Sequence, residues 1–160
     1  MTEIVVRVAD LNVGGAGDLI MTVGLGSCVA IVLHDPMAVV GGLAHVLLPS
    51  PALTRSSENP AKFPQTAVPR LLEMMAARGA SPRRIVARIA GGASMFANLA
   101  PVGTIQMGER NVVATRQVLN QLGLPLVAED VGADYGRTVR LFVDGGRVEV
   151  SSVAHGVRVL

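Results

Sequence analysis

Val29-Ala30-Ile31-Val32-Leu33-His34-Asp35-Pro36-Met37-Ala38-Val39-Val40-Gly41-Gly42-Leu43-Ala44-His45-Val46-Leu47-Leu48 holds two apolar runs on either side of a turn-prone centre. Val29 to Leu33 and Val40 to Leu48 have the aliphatic, β-branched character of strands, and Asp35-Pro36-Met37-Ala38 interrupts them. The stretch predicts one antiparallel hairpin. A turn centred between Pro36 and Met37 sets Leu33 against Val40, Ile31 against Gly42, Val29 against Ala44 and therefore Cys28 against His45. Opposed side chains in such a pair have Cβ atoms about 5 Å apart, within reach of a thiol–imidazole hydrogen bond. A slip of one residue would send the two to opposite faces.

Cys28 is the one cysteine of the chain and closes the run Thr22-Val23-Gly24-Leu25-Gly26-Ser27-Cys28. A free thiol with a pKa near 8.5 is only a few per cent thiolate at neutral pH, so a neighbouring imidazole is what would make it a nucleophile. The small residues Gly24, Gly26 and Ser27 let a substrate approach the backbone and let N–H groups converge where an oxyanion would form. Each residue also has an ordinary structural reading: Cys28 as a small buried hydrophobe, His45 as a hydrogen-bonded core residue, Thr22 as a strand residue, Gly24 and Gly26 as a turn. What points to chemistry is their joint occurrence, with the hairpin setting Cys28 opposite His45.

Thr22-Val23-Gly24-Leu25-Gly26-Ser27-Cys28-Val29, Asp35-Pro36, Gly41-Gly42-Leu43-Ala44-His45 and Leu48-Pro49 resemble the chemoreceptor glutamine deamidase family, CheD. The resemblance continues through Ala90-Gly91-Gly92-Ala93-Ser94-Met95, Met107-Gly108-Glu109-Arg110-Asn111-Val112, Asp130-Val131-Gly132 and Gly136-Arg137, nearly the whole chain. It implies a catalytic group of Cys28, His45 and Thr22. It also implies hydrolytic deamidation of glutamine side chains to glutamate on methyl-accepting chemotaxis receptors, through a cysteine thioester. Thr22 would orient His45 by a hydrogen bond. The fold implied resembles the catalytic domain of cytotoxic necrotizing factor. The partners implied are chemoreceptor cytoplasmic domains and the CheC phosphatase. Two stretches depart from the family pattern. Phe63-Pro64-Gln65 stands where relatives often carry a tyrosine and an aspartate, and Gly132-Ala133 where they often carry paired glycines. Both bear on loop geometry and the substrate rim rather than on the catalytic group.

Composition fits one soluble domain spanning residues 1–160. Half of the residues are apolar, enough to bury a sizeable core. The net charge of +2 comes from basic residues spread along the chain, with no cluster to hold phosphate backbones. With three phenylalanines, one tyrosine and no tryptophan, stacking platforms for nucleic acid are missing too. A single cysteine favours a reducing compartment, and the absence of an export signal or a membrane-length apolar run points to the cytoplasm without membrane insertion. No metal and no other cofactor are expected. His34, His45 and His155 lack ligand spacing. Gly24-Leu25-Gly26 opens like a dinucleotide loop but has Val29 in place of a third glycine, and Gly91-Gly92-Ala93 lacks the lysine of a phosphate loop.

The remaining elements follow from period and punctuation. A first strand is expected over Ile4 to Val8, a glycine-rich loop over Asn12 to Gly17, and a strand over Leu19 to Val23. Pro49 to Pro64 reads as a loop, either a substrate rim or a mobile connection. A helix should begin near Thr66, bury Val68, Leu71, Leu72 and Met75, and stop at Gly79. Ile85 to Ile89 reads as a strand entering the Gly91-Gly92-Ala93 turn. A second helix is expected from Asn111 as N-cap to Leu122, with Val112, Leu119 and Leu122 facing the core. Glu109 and Arg110, like Asp130 and Arg137, could be structural pairs or docking contacts. Thr138 to Val143 and Arg147 to Ser151 flank Asp144-Gly145-Gly146 as a closing hairpin.

The fold class expected is α+β: mixed β-sheet layers flanked by two main helices, without the βαβ alternation of a doubly wound sheet. Two rival functions stay open beside the deamidase: a cysteine hydrolase of other amide specificity, and a non-catalytic chemotaxis adaptor that binds receptor or CheC.

Overall fold

The apolar hairpin forms the middle of a five-stranded sheet, buried on both faces. The structure, a computed structural model, describes residues 1–160, the Ala97 side chain excepted. The strands are β1 (Thr2–Val5), β2 (Asp10–Gly14), β3 (Asp18–Leu25), β4 (Val29–Asp35), β5 (Val40–Val46), β6 (Val86–Gly91), β7 (Leu126–Val131), β8 (Arg137–Phe142), β9 (Arg147–Ser152) and β10 (Gly156–Val159). The helices are α1 (Pro64–Ala76) and α2 (Met107–Gln121).

One sheet has the order β1-β3-β8-β9-β10 and the other β2-β5-β4-β6-β7. Both are mixed, because β1 runs parallel to β3 and β6 parallel to β7 while their other neighbours are antiparallel. The β6–α2–β7 crossover makes one βαβ unit that the sequence reading did not anticipate. The class is α+β, as expected.

Continuous apolar sequence in β4 and β5 has a physical cause: each face of these strands meets a different layer. Val29, Ile31, Leu33, Ala44 and Val46 pack against Val68, Leu71 and Met75 of α1 and Val112 and Leu119 of α2. Ala30, Val32 and Leu43 face the first sheet, where they meet Ile20, Leu25, Val139, Leu141 and Val150. The order of layers is sheet, sheet, helices. Strand β8 alternates buried and half-buried residues because its outer face sees water. Asp130 of β7 and the buried Arg137 of β8 form an ion pair at 3.0 Å that ties the two sheets at one edge.

The hairpin register differs from the expected one by two residues. Asp35 pairs with Val40, Leu33 with Gly42 and Ala30 with His45. The reason is Asp35, whose carboxylate accepts from Met37 N (3.0 Å) and Ala38 N (3.1 Å) and so makes the strand end one residue before Pro36. The Ser81 amide and Arg84 hold the same carboxylate from 46 and 49 residues away. Burial alone would raise the Asp35 pKa, but the guanidinium and the three amides outweigh it and hold the carboxyl well below the usual carboxylate range. A two-residue slip preserves facing, so Cys28 and His45 keep to one side.

Other expectations shift by a few residues. Asn12 to Gly14 belong to β2, paired with Leu43 to Gly41, rather than to a loop. Helix α1 begins at Pro64, which suits the first helical position because its missing N–H would have no partner there. Gly79, with φ of 95°, closes the turn after it. Helix α2 begins four residues before Asn111, so Asn111 is a buried mid-helix residue and not a cap. Leu122 is 43% exposed, outside the core. The Pro49–Pro64 segment contains two 3₁₀ turns and is tied to β5 by Leu47 N and Leu48 N donating to Lys62 O at 2.9 and 3.0 Å. Glu109 and Arg110 form no ion pair with each other among the described residues.

Replacing Asp35 by alanine removes the hydrogen bonds that fix the turn and leaves Arg84 beside it without its acceptor. Urea denaturation should show a loss of about 2–4 kcal/mol. A loss below about 0.5 kcal/mol would mean that the turn is held by something other than this carboxylate.

Candidate active site

Thr22 and His45 belong to different sheets, and both are fully buried. Thr22 Oγ1 lies 2.5 Å from the Val6 carbonyl oxygen and 2.7 Å from His45 Nδ1. The carbonyl can only accept, so the hydroxyl donates to it and Oγ1 accepts from Nδ1–H. That sequence of donors fixes the imidazole tautomer: the proton sits on Nδ1 and the lone pair on Nε2. Nε2 is buried and has no hydrogen-bond partner among the described residues. Burial pushes the His45 pKa down to about 4, so the ring is neutral at physiological pH. The backbone of His45 is held as well, its carbonyl accepting from Ala9 N at 2.9 Å.

Cys28 sits just before β4, 8% exposed, in the same layer between the sheets. Because Ala30 is the direct partner of His45, Cys28 lies on the diagonal, a relation that in regular strands spans about 7–8 Å between Cα atoms. The direct opposition expected from the sequence is therefore replaced by a diagonal one. No hydrogen bond joins the sulfur to Nε2 among the described residues. Burial raises the thiol pKa, and the residue's own amide opposes this more weakly. The resting pair is thus thiol and neutral imidazole.

The loop before Cys28 is irregular. Strand β3 bulges between Thr22 and Leu25, where Gly24 takes φ of 72°. The amides of Gly26 and Ser27 donate to no acceptor among the described residues. The loop is held from behind by the Gly91-Gly92-Ala93 turn: Gly92 N donates to Cys28 O at 2.8 Å and Ala93 N to Gly26 O at 2.9 Å. Gly91 and Gly92 have φ of 109° and 65°, and a Cβ at Gly91 would collide with the Cys28 carbonyl oxygen, so the close approach needs glycine.

Two clefts flank this loop. One of about 250 Å³ is lined by Ser27, Ser94, Met95, Phe96, Gln106 and Met107, and adjoins the residue before the thiol. The other, about 490 Å³, is open and reaches the loop only at Gly24, with Tyr135, Arg137 and Ser152 among its walls. Cys28 itself lines neither.

Asn111 is the site neighbour that sequence reasoning misassigned. It is fully buried, and its Nδ2 donates to Ser27 O at 2.9 Å and to Leu47 O at 3.2 Å. A polar residue one turn inside a helix, with apolar neighbours at the core spacing, was the available signal. His34 Nε2 donates to Val143 O at 2.8 Å, and His155 stacks on Tyr135 with ring centroids 4.1 Å apart. No group of three or more His, Cys, Asp or Glu among the described residues could hold a metal ion. No helix is long and apolar enough to cross a membrane.

Keeping His45 neutral contributes to stability, with a defined pH window. The folded pKa of about 4 lies below the ordinary 6.5, so the unfolded chain binds the proton first as pH falls. This contribution is complete above pH 6.5, declines below it, and by pH 4.5 about 2–3 kcal/mol is gone. Urea denaturation of the wild type and His45→Gln at pH 7, 5.5 and 4.5 isolates it, since other carboxylates cancel in the difference. Parallel pH dependences in the two proteins would contradict a neutral buried imidazole.

The family model for CheD chemotactic sensory transduction matches residues 47–152, more than half of the chain. A protein of Caldanaerobacter subterraneus subsp. tengcongensis named as a probable chemoreceptor glutamine deamidase CheD is 44% identical over 96% of this chain and 94% of its own length. Proteins of the same name from Clostridium novyi and Lachnoclostridium phytofermentans are 41% and 43% identical, over 99% and 92% of this chain and 98% and 92% of theirs. The crystal structure of a Neisseria meningitidis protein of family DUF152 shares the fold at a TM-score of 0.53 and 11% identity. That match covers 84% of this chain and 65% of the other, so this chain spans less than two thirds of that protein. With relatives above 40% identical from end to end, and a matching family model over its larger part, the chain belongs to the CheD family.

Proposed function

We propose that this protein deamidates glutamine side chains of chemotaxis receptors, with Cys28 as nucleophile, His45 as general base and acid, and Thr22 as the residue that orients His45. The observation that carries this reading is the Val6–Thr22–His45 hydrogen-bond chain, which leaves an unpartnered Nε2 lone pair in the layer that also contains Cys28. A histidine that served packing alone would have both ring nitrogens satisfied. The substrate class comes from the relatives, whose name specifies chemoreceptor glutamine.

The reaction runs as two acyl transfers. The Cys28 thiol gives its proton to His45 Nε2 while Sγ attacks the carboxamide carbon. Amide N–H groups of the Gly26-Ser27-Cys28 segment take up the charge that develops on the carboxamide oxygen, and the bulge at Gly24 leaves room for the backbone approach. His45 returns the proton to the amide nitrogen, the C–N bond breaks, and ammonia leaves a glutamyl thioester. A water then gives a proton to His45 as it attacks the thioester, and the C–S bond breaks to release glutamate and regenerate the thiol. The diagonal Cys28–His45 spacing closes as substrate seats, a tightening common in sites whose resting hydrogen bonds are long. The cleft beside Ser27, with Met95, Phe96 and Met107 in its walls, suits the aliphatic arm of glutamine.

Incubating the purified protein with a chemoreceptor cytoplasmic domain should release ammonia in step with glutamine-to-glutamate conversion read by mass spectrometry. Cys28→Ala should lower the rate at least about 1000-fold. Backbone cleavage instead would indicate a peptidase, and receptor binding without conversion, unchanged by Cys28→Ala, an adaptor. Thr22→Val keeps the shape but frees the tautomer, and its kcat should fall about 10- to 100-fold with KM little changed. An unaffected kcat in Thr22→Val would remove Thr22 from the mechanism.

A further inference from the structure

We infer that Asn111 is a positioning residue for this reaction: through its two Nδ2 hydrogens it sets both the direction of the Ser27–Cys28 peptide and the spacing of the cysteine loop from the His45 strand. The inference rests on the reading of Cys28 and His45 as the reacting pair.

Nδ2 carries two hydrogens, and each has an acceptor on a different catalytic segment. One acceptor is Ser27 O, the carbonyl of the peptide that enters Cys28. In a trans peptide the carbonyl and the N–H point in opposite directions, so turning Ser27 O toward Asn111 turns the Cys28 N–H away from it, toward the side on which a substrate oxyanion would form. The other acceptor is Leu47 O, one residue beyond β5 and two beyond His45. A single amide group therefore bridges loop and strand, which the diagonal register of the hairpin does not join directly.

The helix brings Asn111 there by close backbone contact. A Cβ at Gly108 would collide with the carbonyl oxygens of Gly92 and Ala93, the same turn whose amides hold Cys28 O and Gly26 O. Thr115, one turn later, is also fully buried, and its hydroxyl donates to Asn111 O at 2.8 Å. Asn111 Oδ1 has no partner among the described residues, so nothing there on the acceptor side of this amide offsets its burial. Packing alone gives no reason for a fully buried asparagine with an unsatisfied oxygen, whereas fixing two carbonyls does.

Asn111 lines neither cleft, so its loss should leave substrate affinity alone. Asn111→Ala is expected to lower kcat on the order of 100-fold with KM changed less than about threefold. The decisive readout does not use the receptor. The rate of Cys28 alkylation by iodoacetamide at neutral pH is measured in the wild type, His45→Gln, Asn111→Ala and the double variant. Slower alkylation is expected in His45→Gln than in the wild type, with that dependence lost once Asn111 is alanine. Leu119→Ala, which thins the core under the same helix, serves as the structural control and should keep the full His45 dependence. Asn111→Asp, a near-isostere without the N–H donors, should behave as Asn111→Ala and gives the same reading where the alanine variant folds poorly. A His45 dependence that survives in both Asn111 variants overturns the positioning role while leaving the Cys28–His45 pair intact. Alkylation insensitive to His45 in the wild type overturns the pair, and the positioning role with it.

Discussion

One hydrogen bond between the two sheets organises this molecule. Thr22 and His45 meet at 2.7 Å in a layer otherwise built of Ile20, Leu25, Leu43, Val139 and Leu141. In so apolar a setting a polar group without a partner is costly, so the two side chains constrain how the sheets stack as firmly as the apolar contacts do. The same bond decides the chemistry of the imidazole. Because Thr22 must give its own proton to Val6 O, it can only accept from His45, and the ring has one tautomer available. Packing and proton placement are here a single constraint.

That dry layer also sets the resting state of the proposed reaction. Burial raises the Cys28 thiol and lowers the His45 imidazole to about 4, so moving a proton from sulfur to nitrogen before substrate arrives would create two charges where neither is favoured. Activation is then tied to a third charge. As the carboxamide oxygen becomes negative against the loop amides, the imidazolium gains a counter-charge and the transfer becomes favourable. In the proposed mechanism the thiol is weakly reactive at rest and gains most of its reactivity once an amide occupies the site, as the burial of the pair requires.

The sequence made one half of this legible. Continuous apolar strands reveal a sheet covered on both faces, and parity along β4 and β5 places Cys28 and His45 on one side whatever the even-numbered register. The register itself depended on Asp35, whose turn-closing role is reinforced by Ser81 and Arg84, residues far along the chain. Strand β2 was hidden because Asp10-Leu11-Asn12-Val13-Gly14 has loop composition and becomes a strand only through its pairing with β5. Asn111 looked like a cap because asparagine at the head of an apolar helical period usually is one. The true start, Met107-Gly108, is selected by the fit of Gly108 under the Gly92 and Ala93 carbonyls, which no local propensity encodes.

These errors share a cause that bears on how the site works. Cys28 stands outside the ladder, so the strand pairing that fixes His45 does not fix the thiol. What holds the loop comes from 64 to 84 residues further on: the Gly92 amide on Cys28 O, the Ala93 amide on Gly26 O and the Asn111 amide on Ser27 O. The proposed nucleophile and base are thus near neighbours in sequence but are positioned by different parts of the chain, the imidazole by the sheet stack and the thiol by a glycine turn and a helix. A reacting geometry built this way tolerates change in the hairpin turn more readily than change at the junction of β6 and α2. That junction, remote in sequence from both residues, is where small displacements reach the cysteine loop directly.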